Sequence, residues 1–177
     1  METLLTLVDQ QEPEAIEIID VFIDMDGVLA DFAHSKHFRK MDKVMRKPPR
    51  MYEVGFFENL EVLPGARWAL RVLLKNPKLK LHILTKPVTN SPICYSEKAA
   101  WIAKNFPELL DSIIIAHDKQ FCAGPGRILI DDYAVDWKAN WEKAGGRFIH
   151  FRSDDSLKHW MDICVELNPD YFNMELS

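Results

Sequence analysis

Short apolar runs recur along the chain at residues 18–23, 79–84, 113–116, 127–130 and 147–151, each rich in Ile, Leu or Val. Runs of this length without strict alternation suit strands buried on both faces. Amphipathic stretches separate them. Pro64-Gly65 opens one predicted helix, which continues to about residue 75 and stops at Asn76-Pro77. Ser96 is placed to cap a second, carrying Ala99, Ala100, Ile102, Ala103 and Phe106 and closed by Pro107. A third covers residues 136–144 and ends at Gly145-Gly146. Trp137 and Trp141 lie four apart on its face and are expected to pack on the sheet. The alternation of strand and helix predicts an α/β fold, a Rossmann-like parallel sheet flanked by helices.

One stretch breaks the alternation. Residues 33–62 separate the first strand from the next helix and are too long for an ordinary connection. They hold seven Lys or Arg between residues 36 and 50, then Gly55-Phe56-Phe57. This reads as a small cap inserted after the first strand, over the carboxyl ends of the strands, where α/β folds place their sites. The core domain is then residues 17–32 and 63–165, with peripheral extensions at 1–16 and 166–177. The basic run either draws anions toward the site or forms a solvated face.

Composition narrows the class. A chain of 177 residues with 47% apolar content has the size and material for one packed domain. Its net charge of −5 argues against a nucleic-acid polymer as partner, while leaving room for a local basic pocket. Cys94, Cys122 and Cys164 are odd in number and widely spaced, which suggests neither disulfides nor zinc and fits a reducing, cytoplasmic location. No signal peptide is expected at the start, and no apolar run is long enough for a membrane span.

The informative chemistry lies at the end of the first strand. Val21-Phe22-Ile23 leads directly into Asp24-Met25-Asp26-Gly27. Burying a charge without compensation is costly, so carboxylates at such an edge are either solvated or have a cation or a reaction to serve. Gly27 suggests a sharp turn that needs positive φ. The second strand ends in Thr85-Lys86, the third is followed by Lys119, and the fourth ends in Asp131-Asp132. Four parallel strands would thus deliver acids, a hydroxyl, an amine and further acids to one edge.

In this order the residues resemble the four motifs of the haloacid dehalogenase superfamily of phosphohydrolases. A closer resemblance is to the 5'(3')-deoxyribonucleotidases. It is carried by the run from Asp24 through Val28-Leu29-Ala30-Asp31 to Phe32, and by Gly55-Phe56-Phe57 with Leu60-Glu61 and Leu63-Pro64-Gly65-Ala66. Glu97-Lys98 with Trp101, Asp118-Lys119 and Leu129-Ile130-Asp131-Asp132 extend it.

The resemblance implies a magnesium-dependent phosphatase for a small phosphorylated substrate, a nucleoside monophosphate in the first instance. Asp24 would be the nucleophile and form an aspartyl-phosphate, and Asp26 the general acid and base. Magnesium, which suits oxygen ligands, would be held by Asp24, Asp26 through its main-chain carbonyl, and Asp132, with Asp131 as ligand or orienter. Thr85, Lys86 and Lys119 would bind the phosphate. Phe32, Phe56 and Phe57 would hold a base, and Lys98 would lie near the substrate.

Two departures matter. Lys86 stands where that family has a serine, and the cap is shorter than is usual there. Two alternatives follow: a phosphatase for a sugar phosphate or other small metabolite, and a catalytically silent binding protein on the same fold. Two remaining features read blandly. His34 and His37 are taken as surface residues, and Gly124-Pro125-Gly126 lacks the lysine of a phosphate-binding loop and is a turn.

Overall fold

A computed structural model of the protein describes residues 17–33 and 50–169. Most of the basic run, with His34 and His37, lies outside the described residues, as do residues 1–16 and 170–177. Five strands form one parallel sheet: β1 (Ile19–Ile23), β2 (Leu79–Thr85), β3 (Ile113–Ile115), β4 (Arg127–Asp131) and β5 (Arg147–His150). Their order is β3-β2-β1-β4-β5. The chain first winds outward from β1 to β3, then crosses back to β4 on the other side of β1. β1 and β4 therefore flank the point where the winding reverses, the place where open α/β sheets hold their ligands.

Alternation along each strand feeds two cores. Val21 and Ile23, Leu81 and Ile83, and Ile128 and Ile130 enter one face, together with the helices α1 (Ala66–Leu73), α2 (Pro92–Asn105) and α4 (Ser156–Leu167). Phe22, Leu84, Leu129 and Phe148 enter the other, covered by Trp137 and Trp141 of α3 (Ala134–Lys143). The two tryptophans thus pack on the sheet, as their spacing predicted. The α/β reading holds, with local differences. α2 begins at Pro92 rather than at a Ser96 cap, because proline suits the first helical turn. Ser96 Oγ instead donates to the Ile93 carbonyl at 2.9 Å.

α4 was not anticipated. It buries Trp160, Ile163, Cys164 and Leu167 and packs against α1. The approach is close: at Gly65, where φ is +86°, a Cβ would sit 3.1 Å from Leu157 Cα. None of the helices among the described residues is long and apolar enough to cross a membrane.

Residues 31–62 leave and re-enter the core at one place. Asp31 N donates to Glu61 O and Leu63 N to Leu29 O, both at 2.8 Å. The described part of the expected cap begins with a single 3-10 turn, Arg50–Tyr52.

Candidate active site

The register of the sheet brings four strand ends level. Ile23 pairs with Ile83 on one side and Ile130 on the other, and Thr85 pairs with Ile115. Asp24 follows immediately and continues the ladder, its N–H donating to Ile130 O at 2.9 Å. The chain then turns sharply. Met25 O accepts from Leu29 N at 2.9 Å and Ala30 N at 2.8 Å, and Gly27 adopts φ +78°. No other residue fits there easily, because a Cβ on Gly27 would lie 2.1 Å from Asp132 Oδ2. The acids of β1 and β4 are therefore pressed together across a turn only glycine can make.

Two buried lysines organise the acids. Lys119 Nζ lies 2.8 Å from Asp24 Oδ1 and 2.6 Å from Asp131 Oδ2. Burial opposes its charge, yet the two carboxylates outweigh this and hold its pKa above the ordinary lysine value. Lys98 Nζ donates to Asp26 Oδ2 at 2.6 Å, Thr85 Oγ1 at 2.7 Å and the Lys86 carbonyl at 2.8 Å. An ammonium has three N–H donors, so all of those on Lys98 are engaged by the protein. Lys98 was expected beside the substrate; in this arrangement its ammonium lies within the site and orients the second acid and the strand-end hydroxyl.

The second pair of acids is asymmetric. Asp131 is fully buried and both its oxygens are used, Oδ2 by Lys119 and Oδ1 by the Tyr133 N–H at 2.8 Å. Asp132 has no such anchors among the described residues. Oxygens of Asp24, Asp131 and Asp132 can lie within 4.8 Å of one another, a grouping that could hold a cation. Burial, followed by the Asp24 charge, raises Asp131 to about 6 and Asp132 to about 7, with Asp131 adding to the shift at Asp132. Burial also raises Asp26, against the pull of Lys98 and with a further push from Asp24. The site holds more negative charge than its two lysines balance.

That excess sets a pH dependence. A carboxyl whose pKa rises on folding keeps its proton in the native state where the unfolded chain has lost it. The stability this lends is fully present below the unfolded pKa and is lost as pH rises through the folded one. With Asp131 at about 6 and Asp132 at about 7, the metal-free protein is expected to lose about 1–2 kcal/mol between about pH 6 and about pH 8. Thermal melts in chelator should show this as a midpoint several degrees lower at the upper pH; a midpoint that climbs across the window would contradict the excess of charge.

The other predicted residues fall around this centre. Lys86 is exposed, and its ammonium stands 5.3 Å from the centre of the Trp137 ring. Lys119 stands 5.8 Å from the same ring, so Trp137 serves the site as well as the core, a role its spacing did not reveal. Phe32, Phe56 and Phe57 form one cluster with centroid separations of 5.7, 6.4 and 5.0 Å. Phe56 and Phe57 are 4% and 1% exposed, so their rings chiefly pack against each other and the core, while Phe32 keeps a partly open surface. Glu97, unassigned from sequence, is buried beside Lys98, and its carboxylate accepts the N–H groups of Gly55 and Phe57. The available signal was an acid and a base falling on the stripe that also carries Cys94, Trp101 and Ile102, the buried face of α2.

Nearby carboxylates, one bridged by a lysine and one whose pKa burial pushes upward, can act as a nucleophile and an acid. Comparisons with known proteins point the same way. The profile of the 5' nucleotidase, deoxy (pyrimidine), cytosolic type C proteins matches residues 46–164, a stretch holding Thr85, Lys98, Lys119 and Asp131-Asp132. Asp24 and Asp26 lie upstream of it. The human 5'(3')-deoxyribonucleotidase, cytosolic type, is 31% identical over 143 residues, covering 64% of this chain and 70% of the relative. The mouse 5'(3')-deoxyribonucleotidase, mitochondrial, is 30% identical over 141 residues, covering 63% of each chain. The chain thus spans less than two thirds of that relative's length. Among solved structures, a haloacid dehalogenase-like hydrolase from Burkholderia xenovorans LB400 superposes with a TM-score of 0.55 at 15% identity, over 88% of this chain and 99% of that one. At that identity the likeness concerns the fold.

Proposed function

The chain belongs to the 5' nucleotidase, deoxy (pyrimidine), cytosolic type C family of phosphoric monoester hydrolases, and from that premise we propose that it is a magnesium-dependent phosphatase of nucleoside monophosphates, deoxyribonucleoside monophosphates first among them. The observation that carries the reading is the pair of buried lysine clamps, Lys119 on Asp24 and Asp131 and Lys98 on Asp26 and Thr85. They fix the two working acids side by side at the point where the sheet reverses.

Asp24 attacks phosphorus, and the bond to the leaving oxygen breaks as Asp26 gives that oxygen its proton. The products are an aspartyl-phosphate and the free alcohol. Water then attacks the same phosphorus and gives up a proton to Asp26; inorganic phosphate leaves, and both acids return to their starting states. The raised pKa of Asp26 suits it to begin the cycle protonated. Thr85, Lys86 and Lys119 face the phosphate oxygens, and preorganised donors of this kind are each worth about two to three orders of magnitude in rate.

The oxygen-only donor set and its unbalanced negative charge fit a hard divalent cation. Asp24, the Asp26 carbonyl and Asp132 would hold it, with Asp131 kept in place by Lys119 and Tyr133 as orienter. When bound, magnesium would offset the negative charge that the acids and a phosphate bring together. The proposed location is cytoplasmic: the three cysteines are free, and one relative is a cytosolic-type enzyme, though another is mitochondrial.

A second reading, a phosphatase for a sugar phosphate or other small metabolite, draws on the burial of Phe56 and Phe57, which leaves little aromatic face for a base. A panel of 5' and 3' deoxyribonucleotides, ribonucleotides and sugar phosphates, assayed with magnesium, separates the two. Nucleotides are expected to lead by about tenfold or more in kcat/KM, the worth of one stacked base. A sugar phosphate at the head of the panel, with Phe56→Ala harmless, would sink the nucleotide reading. A silent binding protein would release no phosphate even from an aryl phosphate.

A further inference from the structure

Glu97 has no part in the chemistry just described, yet it is 6% exposed and its carboxylate is used in full. Oε1 accepts the N–H of Gly55, and Oε2 that of Phe57 at 2.9 Å. The same residue is held through its carbonyl as well, which accepts from Asn59 Nδ2 at 2.7 Å. Four residues on, and so on the same face of α2, Trp101 Nε1 donates to Leu60 O at 2.8 Å. One face of α2 thus grips the chain from Gly55 to Leu60 at three points. The next residue, Lys98, grips Asp26 and Thr85. Its ammonium also lies 4.9 Å from the centre of the Phe57 ring.

We propose that Glu97 is a positioning residue that sets substrate selectivity, its buried carboxylate latching the Gly55–Phe57 turn to the helix that orients the acid. The proposal rests on the nucleotide reading above. The turn carries Phe56 and Phe57, which pack against Phe32, with Phe57 also against the ammonium that holds Asp26. It forms the wall that the non-phosphate part of a substrate would meet. Its only covalent route to the acid runs through the inserted segment; the latch gives a short non-covalent one. A carboxylate is suited to this because it accepts two N–H groups at once through charge-assisted bonds. A carboxamide accepts on one atom and presents a donor on the other.

The test compares wild type, Glu97→Gln and Glu97→Asp as full chains with magnesium, on a 5' deoxyribonucleotide and on p-nitrophenyl phosphate, which lacks sugar and base. In parallel, NMR hydrogen exchange reads the Gly55 and Phe57 amides. In Glu97→Gln both amides should exchange about tenfold faster or more. The ratio of nucleotide to aryl phosphate kcat/KM should fall about fivefold or more, mainly through nucleotide KM, as expected when ground-state positioning is lost. Glu97→Asp keeps the charge one methylene short and should fall between; it also serves if the Gln variant folds poorly. Unchanged exchange, or equal losses on both substrates, would overturn the latch. A wild type that cleaves the aryl ester and no nucleotide defeats the functional reading instead, and the exchange rates then decide the latch alone.

Discussion

Asp24→Asn is expected to abolish turnover, by at least about four orders of magnitude on an aryl phosphate with magnesium, the scale seen when a covalent nucleophile is deleted. An amide cannot form the acyl-phosphate bond, and the neighbouring Asp26 carboxylate is tied to Lys98. Wild type quenched in acid during turnover should carry one phosphoryl group on Asp24, and the variant none. The stability of this variant should move the other way. After burial, the Asp24 charge is the largest cause of the raised pKa of Asp131 and of Asp132. Neutralising it relieves repulsion inside the cluster, so the metal-free melting temperature should hold or rise. Full turnover in Asp24→Asn would remove the nucleophile assignment. A large fall in stability would mean that Asp24 was part of a balanced ion pair rather than of a surplus.

Lys119→Met separates these two properties in the opposite sense. The lysine is 1% exposed and bridges Asp24 and Asp131. Methionine matches its length and apolar stem but leaves two buried carboxylates facing each other without a cation. Removing one partner of a buried ion pair typically costs about 3–5 kcal/mol, which for a chain of this size lowers the melting temperature by roughly 10 °C. Rate should fall by about two to three orders of magnitude at saturating substrate, because a donor to the developing charge on phosphate is lost. Lowering the pH should recover part of the stability, since protonating Asp131 removes one of the two charges that Lys119 had bridged, and protonating Asp132 eases the remaining repulsion. Calorimetry of metal-free protein at two pH values, with steady-state rates, reads both effects. Near wild-type stability at high pH would show that the bridge does not hold the acids.

Much of this architecture was legible before any coordinates, for a physical reason. Strands covered on both faces must be continuously apolar, so Val21-Phe22-Ile23, Ile83-Leu84 and Ile128-Leu129-Ile130 declare themselves. Their shared edge then follows from parallel winding. What a linear pattern cannot carry is pairing at a distance. Resemblance alone places Lys98 near the substrate; that it holds Asp26, 72 positions away, appears only in the fold. Asp131 and Asp132 are chemically alike in the sequence, and the Tyr133 N–H and Lys119 distinguish them only in space. α4 was missed despite a readable signal, the spacing of Trp160, Ile163, Cys164 and Leu167. For α2, Pro92 was the better marker of the start than Ser96, because proline tolerates the first turn and not the interior.

The position of β1 has a consequence for biosynthesis. This strand precedes β2 to β5 in the chain, yet it ends up in the middle of the sheet, between β2 and β4. While the ribosome is still translating, β2 can cover one edge early. The other stays open until Arg127–Asp131 has left the exit tunnel, since β4 is what pairs there. An unpaired apolar edge is adhesive toward other chains. A nascent or truncated polypeptide that stops short of β4 would therefore carry Asp24, Asp26 and even Lys119 with neither the Asp131-Asp132 pair nor a closed sheet. It would be inert as an enzyme and a client for chaperones, so hydrolytic capacity arrives late and all at once.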